Sequence, residues 1–227
     1  MTFSIAGRCQ ETGMVGTAVC SSSIAVASRC GHVRAGVGAV VTQNVTDPAL
    51  GPLALTSMAE GLSARDVIQL MIERQPFLDW RQLIVVPARG EPAVFSGERA
   101  LGLPGQVVSV HCAAAGNLLS SDAVLTAMVE TFERTRDHLA QRLVAALKAG
   151  LDAGGEVGPV HAAGIKVADR LTWPIVDLRV DWSDEPIGQL AELWQRYRPQ
   201  LNDYVARAQS PLDAPAYGVP GESPGGQ

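Results

Sequence analysis

The chain begins with short apolar runs broken by turn-forming residues. "FSIAGRC" over 3–9 and "MVGTAVC" over 14–20 flank "QETG", and this spacing predicts a hairpin. "SIAVASRC" and "AGVGAVVTQ" over 23–43 predict a second hairpin, and their Gly and Ala content predicts that another layer lies close against it. After Asp47-Pro48 the period changes. Leu50, Leu53, Leu55, Met58, Leu62, Val67, Leu70 and Met71 recur at spacings of three and four, which predicts two helices, the second capped by Ser63.

"RQLIVVPARG" and "EPAVFSG" predict a hairpin turning at Arg89-Gly90, and "QVVSVHCAAAG" one further strand. From Ser121 the stripe Val124, Met128, Phe132, Leu139, Leu143 and Leu147 predicts helix up to a stop at Gly150. "VHAAGIKVAD" and "PIVDLRVDW" follow as strands. Asp184 and Glu185 then open a last helix carrying Ile187, Leu190, Leu193 and Trp194. Strands in blocks imply antiparallel sheets, and helices in pairs imply a layer on a sheet face. The expected fold is therefore α+β: a four-layer αββα sandwich of two antiparallel sheets flanked by helices. It should occupy residues 1–207, with 208–227 a Pro/Gly-rich tail expected from its composition to be disordered.

Composition narrows the function. Apolar residues make up 47% of the chain and charged ones 18%, which fits a well-buried core. The net charge of -5, with scattered Lys and Arg, argues against nucleic acid. The absence of a long apolar run or a signal-like start argues against a membrane span and for a cytoplasmic location. Cys9, Cys20, Cys30 and Cys112 lack metal-like spacing and read as core thiols. No His and carboxylate pair has zinc-like spacing either, so neither a metal nor a cofactor is expected.

Several blocks together resemble a known family. "MTFSIAGR" followed by Glu11, Thr12 and Gly13, then "AGVGAVVTQ", "DPALGPLAL", "AEGLSARDVI", "GNLL" and "VDLRVD", are similar in order and spacing to the domain-of-unknown-function 1028 family. The similarity runs from Met1 to about Arg207. That family is assigned to the N-terminal nucleophile (Ntn) hydrolases, so the resemblance implies an Ntn-hydrolase-like αββα fold. It also implies a chemistry in which an exposed terminal Thr, Ser or Cys attacks an amide carbonyl, with its own α-amino group as base. Members often continue into a peptidoglycan-binding segment. This chain stops before one, and no wall binding is expected.

Thr2 is the candidate nucleophile. A hydroxyl needs an adjacent base, and a terminal α-amino group with a pKa of about 8 is one that the residue carries itself. Removal of Met1 is required, and the small second residue permits it. The other reading makes Thr2 a β-branched strand starter.

An acyl-transfer site also needs oxyanion donors, and Gly116 and Asn117 at a strand exit can supply them; they equally fit an ordinary turn. Thr42 and Gln43 end a strand and fit either substrate binding or local backbone capping. Arg8 either meets a substrate carboxylate or pairs with Asp181 or Glu11. His32 is either an acid-base group or a structural histidine.

The expected activity is hydrolysis of a C-N amide bond in a small molecule through a Thr2 ester. The alternative is a catalytically silent binding or assembly module on the same fold. It is motivated by Ala115, which stands where the family has an amide side chain, and by the changed run around Pro159 to Ala162. Trp182, Trp194, Tyr197 and Tyr204, on or near the last helix, suggest a homodimer.

Overall fold

The computed structural model describes residues 2–219, and its plan starts from the alternation of the first strand. In β1 (Thr2–Arg8), Phe3 and Ile5 join one apolar cluster and Ala6 another, because successive side chains point to opposite faces. β2 (Val15–Ser21) returns antiparallel through a turn in which Gly13 adopts φ 78°. A single helical turn, α1 (Ala27–Cys30), leads to β3 (Gly31–Arg34) and β4 (Gly38–Asn44). Two helices follow, α2 (Leu50–Ala59) and α3 (Ala64–Arg74), the second capped by Ser63, whose hydroxyl accepts from the Asp66 N–H.

Four strands come next: β5 (Arg81–Pro87), β6 (Ala93–Ser96), β7 (Gly105–Val108) and β8 (Cys112–Asn117). α4 (Ala123–Arg134), α5 (Leu139–Asp152), β9 (Ala162–Ala168), β10 (Val176–Val180), α6 (Pro186–Tyr197) and α7 (Leu201–Gln209) complete the order.

Two antiparallel sheets result, one ordered β10-β9-β2-β1-β8-β7 and the other β3-β4-β5-β6. Phe3, Ile5, Met128, Phe132, Leu143, Leu147 and Trp194 fill the space between the six-stranded sheet and α4, α5 and α6. Val40, Leu83 and Val85 pack under Leu50, Ala54, Val67 and Met71 of α2 and α3. Between the sheets lie Ala6, Val19, Ala39, Val41, Ile84, Ala113 and Ala115, small enough to bring Cα atoms of β1 and β4 within 8 Å. This is the expected layered α+β sandwich.

Four local expectations need correction. "SIAVASRC" is not a strand. Its backbone turns at Ala25 (φ 51°), whose N–H donates to Asp181, and Ala27 packs where a Cβ on Gly164 would stand. "QVVSVHCAAAG" is two strands. The intervening turn is held by Glu133, which accepts from Ser109 Oγ and the His111 N–H, and by Arg8, which donates to the Val110 carbonyl.

Gly150 does not stop α5, which runs on to Asp152. Instead it is the point of closest approach, where a Cβ would meet Met128 Cγ at 2.8 Å and Phe3 at 3.1 Å. The last helix is broken at Pro199, which cannot donate within a helix. Beyond α7, Arg207 donates to the carbonyls of Pro215 and Ala216 and lies over the Tyr217 ring, so the described part of the expected tail folds back. The remainder, 220–227, and Met1 lie outside the described residues.

Candidate functional site

Thr2 opens β1 in register with Ser21 on β2 and Asn117 on β8, so all three side chains share the face between the sheets. Directly opposed residues of an antiparallel pair carry Cβ atoms about 5 Å apart. The Thr2 hydroxyl donates to Ser21 Oγ at 3.3 Å, and Ser21 Oγ also accepts the Ser23 N–H at 3.0 Å. Two residues along, Ser4 Oγ donates across the sheet gap to Gln43 Oε1 at 2.5 Å.

Gln43 stands opposite Gln82 in the facing sheet, and Gln82 organises the rest. Its Oε1 accepts from Gln43 Nε2 at 3.1 Å and from Asn117 Nδ2 at 2.9 Å. Its Nε2 donates to the Gly116 carbonyl at 2.8 Å and to Ser96 Oγ at 3.0 Å. Both lone pairs and both N–H groups of the amide are thereby used. Ser4, Gln43, Gln82 and Asn117 are all fully buried, so the network is held without competition from water. One N–H of Asn117 is not used in this network, and its Oδ1 has no hydrogen-bond partner among the described residues.

The exit of β8 is bent. Leu118 takes φ 52°, a left-handed conformation that costs a β-carbon-bearing residue about 1–3 kcal/mol. Three contacts enforce it: the Leu118 N–H to Leu101, the Val157 N–H to the Leu118 carbonyl, and the bridge between Leu119 and Glu156. The bend brings Glu156 to the strand ends near Thr2.

Glu156 is 5% exposed, and neither carboxylate oxygen makes a well-formed hydrogen bond among the described residues, although the Ser22 N–H lies close enough to act on it. Burial raises it from its ordinary 4.5 to about 7, against the opposing pull of the chain's amino terminus and of the Ser22 N–H. Its charge in turn adds to burial in raising the Cys20 thiol.

Thr2 itself is only 6% exposed, and while residue 1 remains attached its nitrogen is a peptide amide with no basicity. A free α-amine beside the Thr2 hydroxyl requires that residue to be removed.

Of the residues singled out in the sequence, Thr2, Gln43, Gly116 and Asn117 are gathered here. Gly116 contributes its carbonyl, and a Cβ there would meet Leu119 at 2.6 Å. Thr42 points to the opposite face of β4 and caps the following loop by donating to the Asp47 carbonyl at 3.2 Å. His32 packs on Gly51 of α2 and contacts the Arg29 carbonyl at 3.3 Å, with its pKa lowered mainly by burial.

Arg8 closes the far end of β1, about 20 Å from Thr2 at 3.3 Å per residue. It donates to the carbonyls of Pro87, Gly90 and Val110, and pairs with neither Asp181 nor Glu11. Sequence reasoning missed Ser4, Gln82 and Glu156. A glutamine inside the apolar run "RQLIVVP" was the available signal for the second, and nothing local marked the third. Among the described residues, no group of three or more His, Cys, Asp or Glu side chains is placed to hold a metal ion.

Residues 2–190 match the model of a family described as a family of unknown function, DUF1028. The chain is also similar to a DUF1028 protein of Silicibacter pomeroyi with a known crystal structure. The two are 29% identical with a TM-score of 0.80, over 86% of this chain and 88% of that one. A search of curated proteins found no match.

Proposed function

The chain belongs to the DUF1028 family, whose function is unknown, and from that footing we propose that it is an amidohydrolase of the N-terminal-nucleophile kind. Removal of residue 1 would expose the Thr2 amine. Thr2 Oγ then attacks the carbonyl carbon of an amide while the α-amine takes up the hydroxyl proton, and the tetrahedral oxyanion receives the spare N–H of Asn117. The ammonium passes its proton to the departing amine, and a threonyl ester remains. Water, deprotonated by the same amine, attacks that ester and releases the carboxylic acid.

Glu156 suits a supporting part. As a carboxylate it stabilises the ammonium form between the two proton transfers. Exposed Ile24, Val157 and Trp182 near this end of the molecule suit a substrate with an apolar acyl group. Four thiols without disulfide partners fit a cytoplasmic setting, and no helix among the described residues is long and apolar enough to cross a membrane.

The observation that carries this reading is the placement of the Thr2 hydroxyl between Ser21 and an Asn117 locked by Gln82. The test is intact-mass analysis of purified protein followed by a screen of small amides. Activity confined to chains beginning at Thr2, with an acyl mass addition on that residue, is the expected result. Activity in chains retaining residue 1 refutes it.

A second reading, a silent binding module, is favoured by the low exposure of Thr2 and by the full use of the Gln82 amide within the protein. It predicts that Thr2→Ala protein binds the same ligand with the same effect.

A further inference from the structure

The end of the molecule remote from Thr2 carries a second concavity. The β1–β2 loop, the β7–β8 turn and the α4–α5 connection enclose a cleft of about 530 Å³, a size suited to a small ligand. Arg142, from the first turns of α5, lies in its wall and is only 7% exposed. Its Nε donates to the Phe132 carbonyl at 3.1 Å, and its guanidinium sits 4.1 Å from the Phe132 ring centre. Among the described residues no carboxylate comes within ion-pair distance, and Nη1 and Nη2 have no acceptor although they are not sealed from solvent. A buried cation is costly unless it is paired, so these two nitrogens call for a counter-charge from outside the chain.

The neighbouring charges do not supply it. Asp137 is engaged by Arg198 at 2.7 and 3.1 Å, and Glu133 accepts from Ser109 and His111. Glu11 is exposed at the rim. The guanidinium of Arg8 is spent on carbonyls, while Arg136 adds positive charge. The positive end of α5, a helix of 14 residues, opens on the same wall.

We infer that this cleft binds a small organic oxyanion, a carboxylate or a phosphate ester, held in a bidentate grip by Nη1 and Nη2 of Arg142. Parallel N–H donors spaced to match two oxygens of one head group are what a guanidinium offers and an ammonium does not. The site is separate from the Thr2 end and does not depend on the hydrolase reading.

Cys9 provides a reporter in the same wall. Burial works to raise its thiol, but hydrogen bonds from Thr12 and the Glu11 backbone and the charge of Arg142 outweigh it and draw the pKa down. Cys20, Cys30 and Cys112 are buried with raised thiols and should stay silent.

The experiment follows iodoacetamide alkylation of Cys9 in the full chain by mass spectrometry. Inorganic phosphate or succinate is compared with sodium chloride at equal ionic strength. At saturation, one or both anions should slow alkylation at least fivefold, and which of them does so identifies the head group. Arg142→Gln should abolish that ratio. Arg142→Lys, which keeps the charge and most of the packing and so covers the case where the glutamine variant does not fold, should raise about tenfold the anion concentration that gives half-maximal protection. Equal rates in all three salts, or a half-maximal anion concentration that is unchanged in Arg142→Lys, would overturn the inference.

Discussion

Replacing Glu156 by Gln probes the one buried ionisable group that the strand ends place beside Thr2. Its carboxyl titrates near 4.5 in an unfolded chain and at about 7 in the folded one, because burial removes water that the Ser22 N–H and the chain's amino terminus only partly replace. The folded state thus holds this proton more tightly, and unfolding releases it. The contribution to stability is fully present below pH 4.5 and is lost as pH rises through 7.

At about 1.4 kcal/mol per pH unit, the interval corresponds to roughly 3 kcal/mol, which solvent screening at the strand ends reduces toward about 2. Glutamine keeps the shape and never ionises. Urea denaturation of both proteins from pH 4 to 9, on samples whose amino terminus has been defined by mass, should give nearly equal stabilities at pH 4. By pH 8 the variant should lead by about 2–3 kcal/mol. Parallel profiles, or a variant that is weaker at pH 8, would refute the account of Glu156 as a carboxyl whose burial is only partly compensated.

The other predictions concern its neighbours. Asn117→Ala should lower any amidase turnover by about 10²- to 10³-fold while KM changes little, measured by steady-state kinetics. Gln82→Leu strips partners from Gln43, Asn117 and the Gly116 carbonyl together; with about 1–3 kcal/mol for each buried group left unpaired, it should cost at least 3 kcal/mol in denaturant titration. Gly150→Ala forces a methyl against Met128 and Phe3 and should destabilise by about 1–3 kcal/mol, seen as a lower Tm, without altering the Thr2 end.

The layer plan was legible because two periods write it into the chain. Phe3 and Ile5 against Ala6 show period two, and Val124, Met128 and Phe132 show the helical repeat, so each element declares the face it must bury. The second residue could also be read as a nucleophile candidate, since that rests on chain position and on hydroxyl chemistry alone. Where local pattern competed with tertiary contact, it lost. "SIAVASRC" has strand composition, yet Ala27 fits the gap left by Gly164.

The site followed the same rule. Arg8, Thr42 and His32 have suitable chemistry, but strand alternation and length send them to other faces and ends. Gln82 and Glu156 lie 80 or more residues from Thr2 in sequence, and only sheet register and the bend at Leu118 bring them to it. The sequence alone thus determined which residues could react and which surfaces had to be covered, because both depend on side-chain type and short-range period. Which polar groups meet in the dry gap between the sheets was decided by the register of strands far apart in the chain, a choice made by the packing of the whole molecule.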